Sequence, residues 1–179
     1  MRILGIDPGT IFTGYGIIDF ENNELKFVSS GVVKIPATKE MPPRLEAIYN
    51  ELDKLIIQYK PDEFALETAF FGKNVQSALK IGYARGVSML AAMHHGLSVK
   101  EYSPREIKKS VVGNGASTKD QVQYMIRKLL EIRKTKIKYD ESDALAVAVC
   151  HAFKSNSFSK KSRNWKEFIR ENPDRIIGA

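Results

Sequence analysis

Apolar runs in the first third of the chain predict three β-strands. The run ILGID at positions 3–7 is unbroken and ends in an acid, as expected of a strand buried on both faces. GYGIIDF and LKFVSSGVVKI follow as two further strands, and Glu21, Asn22 and Asn23 between them are turn-forming residues. The three strands therefore fit an antiparallel meander that ends before Pro36.

A helix and a short strand follow the meander. Pro42 and Pro43 suit the first turn of a helix, and Pro61 ends it. The apolar residues between these prolines recur at helical spacing, at Leu45, Ile48, Leu52, Leu55 and Ile56. FALE, at positions 64–67, then forms a short buried strand. Strand, helix and strand make a crossover unit, which predicts that FALE runs parallel to another strand of the same sheet.

The pattern from Asn74 to His95 predicts a long helix whose second half, VSMLAAM, is apolar on nearly every side. Gly82 and Gly86 are spaced four apart and would let another backbone approach closely. We therefore expect one side of this helix to pack on the sheet and the other to meet a second subunit. A central helix of a monomer explains the same pattern equally well.

The remaining pattern predicts one short strand and three helices. LSVKEY is the strand, a brief helix follows Pro104, and GNGAS forms a loop. Ser117 is a good N-cap for the next helix, which leaves Lys119 and Arg127 on a basic outer face. The apolar stripe of that helix consists of Val122, Met125, Ile126, Leu129 and Leu130. The last helix begins near Asp140 and runs through ALAVAVCHAF.

Length and composition favour one α/β domain at residues 1–153. The chain after Phe153 is polar and basic without a sustained period, which predicts a flexible tail at 154–179. Cys150, the single cysteine, has no partner for an internal disulfide, and no apolar stretch is long enough to cross a membrane. We therefore expect a cytoplasmic protein without membrane contact. The net charge of +7 favours a polyanionic partner such as nucleic acid.

Acidic residues stand where three buried elements begin or end. Asp7 and Glu67 each end a predicted strand, and Asp140 and Asp143 open a predicted buried helix on one helical face. If the two strands are parallel neighbours, Asp7 and Glu67 meet at one edge of the sheet, where α/β sites form. Carboxylates so close together need a cation.

Oxygen ligands without a His or Cys cluster predict Mg²⁺, with Mn²⁺ as a substitute. Four carboxylates are enough for two ions about 4 Å apart, which stabilise the attacking and leaving oxygens of a phosphodiester. Each acid also has a structural explanation, since Asp7-Pro8-Gly9 suits a turn and Asp140 with Asp143 suits a helix cap. Glu67 lies in FALETAFF, where neither a turn nor a cap requires an acid.

Four separated segments resemble the RuvC family of bacterial Holliday-junction resolvases. They are IDPGTIFTGYGII, FALETAFFGKNVQSALKIGYARGV, VVGNGASTKDQVQYM and DESDALAVAVCH, and together they cover nearly everything from Arg2 to His151. The resemblance implies an RNase H-like fold, with a mixed five-stranded sheet and helices on both faces, and a homodimer. It implies that Asp7, Glu67, Asp140 and Asp143 are the catalytic, metal-binding acids.

The resemblance also implies residues and partners for DNA binding. Phe70 matches an aromatic that stacks on a base at the junction centre, with Phe71 as a second candidate, although adjacent aromatics after a strand are often core residues. Lys108 and Lys119 match basic positions used for DNA binding or catalysis, and Lys73 is a further candidate. Four-way junction DNA is the implied substrate, and a RuvA/RuvB branch-migration complex is an implied partner.

Three other functions compete with this interpretation. An RNase H-like nuclease of RNA precursors shares the Asp-x-Gly opening, but the segment ARGV and the loop GNGASTK distinguish the chain from it. A sugar-kinase or actin-like ATPase needs a duplicated half that this chain is too short to contain. A non-catalytic junction-binding protein would gain nothing from four acids, because unneutralised carboxylates repel phosphate.

Overall fold

The fold is built on one five-stranded sheet with helices on both faces. In the computed structural model, residues 1–37, 40–68, 75–133 and 137–160 are described, with the side chains of 156–160 left aside. The strand order is β3-β2-β1-β4-β5. In chain order the elements are β1 (Arg2–Asp7), β2 (Phe12–Glu21), β3 (Glu24–Lys34), α1 (Met41–Tyr59), β4 (Glu63–Glu67), α2 (Val75–His94), β5 (Val99–Tyr102), α3 (Pro104–Val112), α4 (Lys119–Leu129) and α5 (Tyr139–Lys160).

The predicted meander is confirmed. β1 pairs antiparallel with β2, and β2 pairs antiparallel with β3. Asn22 and Asn23 form the turn between β2 and β3 with φ of 52° and 68°, a left-handed conformation that asparagine tolerates better than most residues.

The predicted crossover is confirmed as well. β4 lies parallel to β1, with Ile6 opposite Leu66, and β5 lies parallel to β4, with Glu67 opposite Tyr102. The next residue after Ile6 is Asp7 and the next after Leu66 is Glu67. The two acids therefore lie side by side at the edge where both strands end.

Two apolar clusters cover the two faces of the sheet. On one face, Leu4 and Phe64 pack with buried residues of α1 and α2. On the other face, Ile3 and Ala65 pack with α3, α4 and the fully buried part of α5, residues 144–150. Because strand residues alternate between faces, Asp7 and Glu67 lie on the α5 face, with Ile3 and Ala65.

Glycines in the sheet allow α5 to approach the strands closely. A Cβ built on Gly14, which pairs with Asp7, would lie 1.9 Å from the backbone oxygen of Asp140. A Cβ on Gly5 would lie 2.4 Å from the backbone oxygen of Ala144. Side chains at these positions would push the first turn of α5 away from β1, so the absence of a Cβ places that turn over the end of the strand.

The helix caps and ends differ from the sequence prediction in two places. Ser117 is not the N-cap of α4: its hydroxyl donates to the backbone oxygen of Asn114 at 2.8 Å. Thr118 is the N-cap, and it forms a capping box with Gln121, whose side chain accepts from the Thr118 backbone N–H. α5 extends to Lys160, beyond the boundary predicted after Phe153. In the described ranges, no helix is long and apolar enough to span a membrane.

Candidate active site

Four carboxylates converge at the edge where β1 and β4 end. Asp7 and Glu67 are the last residues of those strands, and Asp140 and Asp143 lie in the first two turns of α5. All four side chains are partly buried. The close packing of α5 on Gly14 brings the helix acids over the strand acids, so the structure gathers the four residues predicted from the sequence.

Burial and mutual repulsion raise the pKa values of the strand acids. Burial is the main reason that the pKa of Asp7 rises to about 7, and the charges of Asp143 and Asp140 raise it further. Burial also raises the pKa of Glu67 to about 8, followed by repulsion from Asp7 and Asp143. A hydrogen bond from Glu67 to Asp7 opposes the rise at Asp7. The two carboxylates therefore retain a proton to higher pH than ordinary carboxylates do.

Lys119 supplies a positive charge to this cluster. Its Nζ donates to Oδ2 of Asp143 at 2.7 Å, and that hydrogen bond is the main reason the pKa of Lys119 is raised. The same ammonium group lowers the pKa values of Asp7 and Glu67. Lys119 is more exposed than its partner, with 62% of the side chain accessible against 16% for Asp143. Its charge is therefore available both to the acids and to a ligand.

Lys108, on α3, lies close enough to act on the same cluster. Its charge lowers the pKa of Glu67. The other predicted DNA-binding residues, Phe70, Phe71 and Lys73, lie outside the described residues.

The turn at Asp7-Pro8-Gly9 does not explain why residue 7 is an acid. The turn after β1 is closed by Thr13, whose hydroxyl donates to the backbone oxygen of Gly9 at 2.6 Å. Thr13 is fully buried, so this bond is protected from water. The Asp7 carboxylate therefore remains directed to the acid cluster.

Glu141 performs the capping function considered for Asp140 and Asp143. Its Oε2 accepts from the backbone N–H of Lys138 at 3.4 Å, and its Oε1 accepts from the Ser30 hydroxyl at 2.6 Å. Glu141 could not be predicted as a cap from the sequence, because a capping box is recognised by a Ser or Thr three residues earlier and Lys138 stands there. The flanking aspartates are thus free for the cluster.

The donor chemistry of the cluster fits a hard divalent cation. Carboxylate oxygens are the ligands of Mg²⁺ and Mn²⁺, and the four acids carry more negative charge than the one ammonium group of Lys119 neutralises. Within the described part of the chain, no three His, Cys, Asp or Glu side chains already stand in an arrangement that could hold an ion. Binding of a cation by these acids would therefore require their side chains to rearrange, and Asp143 could offer both oxygens only after releasing Lys119.

Comparison with known proteins identifies the class of fold. The structure is similar to that of Thermus thermophilus RuvC in complex with Holliday junction substrate, with a TM-score of 0.83 and 28% identity over 89% of this chain and 97% of the other. The free Thermus thermophilus RuvC structure gives a TM-score of 0.81. The mixed five-stranded sheet with helices on both faces is thus an RNase H-like α/β fold of the nuclease type.

Sequence comparison identifies the family within that class. Residues 3–151 match the family described as crossover junction endodeoxyribonuclease RuvC. Proteins of that name from Chloroherpeton thalassium and Alkaliphilus oremlandii are 44% and 47% identical, over 99% and 87% of this chain and 100% and 95% of their own. The chain belongs to the RuvC family of crossover junction endodeoxyribonucleases.

Proposed function

We propose that this protein resolves Holliday junctions by paired, symmetric phosphodiester nicks during recombination and repair. The observation that carries the proposal is the cluster of Asp7, Glu67, Asp140 and Asp143 on the α5 face of the sheet, with Lys119 beside it. Buried carboxylates with raised pKa values have no packing function, and they oppose DNA binding unless a cation neutralises them. A metal-dependent phosphodiesterase requires such a cluster.

The four acids would hold Mg²⁺, and we propose two ions in each site. When bound, the ions would activate the attacking water and stabilise the leaving oxygen. Asp7 and Glu67 lie on rigid strand ends, so their carboxylates fix the position of the reacting phosphate relative to the sheet. Lys119, displaced from Asp143, would place its ammonium group on a phosphate oxygen, and Lys108 would add positive charge near Glu67.

The activity test uses a four-way junction, a linear duplex and an RNA hairpin, each with and without Mg²⁺. We expect symmetric cleavage of the junction alone, and only with metal. Asp7→Asn should abolish cleavage while junction binding stays intact or becomes tighter, because the variant loses a charge that repels phosphate. Glu46→Gln, an exposed acid on α1, is the matched control and should cut normally. Junction binding lost in a folded Asp7→Asn protein would contradict the assignment.

We further propose a homodimer formed through α2. One side of this helix packs in the core through Ala84, Ser88, Ala91 and Ala92. The large apolar side chains exposed along α2 are Val75, Leu79, Tyr83, Leu90 and Met93. An added Cβ on Gly82 or Gly86 would meet nothing within 4 Å, so this face is open to a close backbone approach. Two-fold pairing of such a face would relate the two active sites of the dimer by the same symmetry that relates the two cleaved strands of the junction.

The dimer test combines oligomeric state with strand counting. Leu90→Asp and Gly86→Leu should each weaken association in light scattering and reduce paired cleavage in parallel. Ile57→Asp, at an exposed apolar residue of α1, is the control and should stay dimeric. A mixed dimer with one Asp7→Asn subunit should nick one strand of the pair. A monomer on the junction, or a mixed dimer that cuts both strands in one binding event, would refute the arrangement.

The family resemblance supports two further parts of the proposal. Phe70 is proposed to stack on a base at the junction centre, with Phe71 and Lys73 as neighbouring DNA contacts. Phe70→Ala should then impair cleavage more than binding, since stacking contributes roughly 1–3 kcal/mol per base. A RuvA/RuvB branch-migration complex is the proposed partner, and pull-down on junction DNA with those proteins tests it.

A further inference from the structure

Two exposed aromatic residues line the same open cavity beside the acid cluster. Phe12 begins β2 and is 44% exposed, and Tyr139 begins α5 and is 47% exposed. Both line one open cavity of about 540 Å³, and Asp140 lines it too. A groove with aromatic walls thus opens directly at one of the proposed metal ligands.

Tyr139 is held in place rather than free to turn into solvent. Its hydroxyl donates to Oδ1 of Asp120 at 2.6 Å. The Lys119 ammonium lies 6.0 Å from the centre of its ring, and the same ammonium donates to Asp143. These two contacts favour one position of the ring relative to the acids, and a ring restrained in this way loses less conformational entropy when a ligand stacks on it.

Positive side chains and one further aromatic ring continue the groove away from the site. Arg127 and Lys138 line the same cavity as Phe12 and Tyr139. Arg127 also lines a second cavity of about 810 Å³ along α4, together with Lys128 and Tyr124. Tyr124 is 63% exposed, with the Lys128 ammonium 5.8 Å from its ring centre.

Rings that alternate with cations along a groove are typical of surfaces that bind a nucleic-acid strand, where bases stack and the phosphates meet positive charge. A protein partner could pack on the aromatic rings, but its binding would not require a groove that ends at the carboxylates. Because the groove meets Asp140, a strand lying in it would carry a phosphodiester to the acid cluster.

We infer that the groove between Phe12 and Tyr139 binds one nucleotide of the cleaved DNA strand, next to the reacting phosphodiester, with its base stacked on Tyr139. The strand continues along α4 past Arg127 towards Tyr124. This inference rests on the proposed function, since it assigns the path of the substrate strand in the same enzyme.

The test pairs protein variants with abasic sites in a synthetic junction. Tyr139→Ala should weaken junction binding roughly 5- to 150-fold, the range expected for one stacked base. Tyr139→Phe keeps the ring and should bind close to the parent protein. Phe12→Ala should weaken binding in the same direction, while Ile57→Ala, an exposed apolar residue on α1, should have no effect. Thermal denaturation of each variant verifies that it is folded.

Abasic sites then locate the stacked base. An abasic site next to the cut should weaken binding by the parent protein and should not weaken binding by Tyr139→Ala any further. Equal binding by Tyr139→Ala and the parent on the intact junction, or losses that simply add at every abasic position, would overturn the inference. A parent protein that does not distinguish a junction from a linear duplex would instead overturn the proposed function itself.

Discussion

Replacing Gly14 with alanine should damage cleavage more than folding, because Gly14 sets the position of the first turn of α5. The added Cβ would lie 1.9 Å from the backbone oxygen of Asp140, and real Cβ contacts are essentially never under 3.0 Å. The helix start must therefore move by at least 3.0 − 1.9 = 1.1 Å relative to β2. Asp140 and Asp143 move with it, while Asp7, on the neighbouring strand, stays in place.

The two consequences have different sizes. Overpacking of this kind lowers the free energy of unfolding by about 1–3 kcal/mol, which a domain of this size can tolerate. A misplacement of about 1 Å in a catalytic constellation lowers the rate about 100-fold. We therefore expect a folded Gly14→Ala protein whose single-turnover cleavage of a four-way junction is slower by about two orders of magnitude.

Single-turnover cleavage and urea denaturation measure the two effects separately. Gly31→Ala is the control, since its Cβ would meet the Tyr15 side chain at 2.7 Å without touching α5. That variant should lose stability and keep its rate. Gly5→Ala is a second variant that should displace α5, because its Cβ would lie 2.4 Å from the backbone oxygen of Ala144. Parent-like cleavage by folded Gly14→Ala and Gly5→Ala would refute the argument that close packing of α5 positions the acids.

Three further predictions follow from the polar contacts. The pKa values of Asp7 and Glu67 are raised in the folded protein, so their contribution to stability is fully present below about pH 4 and is lost as the pH rises through about 7 to 8. Urea denaturation of the metal-free protein across this range should show the loss, and Asp7→Asn should flatten it. His151→Ala should lower the free energy of unfolding by about 1–3 kcal/mol. The substitution leaves the Tyr102 hydroxyl, which lies 2.6 Å from Nδ1 of His151, and the Glu63 carboxylate without their partner. A smaller loss of stability than in Tyr102→Phe would contradict this prediction. Lys119→Gln should lower the slope of log affinity against log salt by about one unit, and an unchanged slope would remove its proposed phosphate contact.

Hydrophobic periodicity was sufficient to predict the sheet, the crossover and the placement of the acids. Alternation and continuous apolar runs report burial directly, so the meander and the parallel position of β4 followed from the pattern. The cap of α4 was wrong by one residue, because Ser117 and Thr118 are both good caps and only the pairing with Gln121 decides between them. Choices between chemically equivalent neighbours need the folded geometry.

Features that depend on long-range packing could not be predicted from the sequence. In the apolar segment VSMLAAM of α2, Met89 packs partly on the core cluster that contains α1 and α2, whereas Leu90 is exposed. An all-round apolar helix carries no information on its orientation, so the pattern could not assign the side. Phe12 and Tyr139 were missed because they are far apart in the chain, and only the fold brings their rings to one groove.

One helix joins the stability of the fold to the chemistry of the site. From residue 144 to 150 α5 is fully buried against the sheet, and each large apolar side chain in such a position contributes roughly 1.5–3 kcal/mol. Burial of Asp7 and Glu67, together with repulsion among the acids, opposes folding once both carboxylates are ionised, as their raised pKa values indicate. The packing of α5 offsets this cost, and it acts on the same rigid element that carries Asp140 and Asp143. The acid cluster can stay assembled without metal for this reason, and the backbone elements that carry its four carboxylates are already held at the end of the sheet.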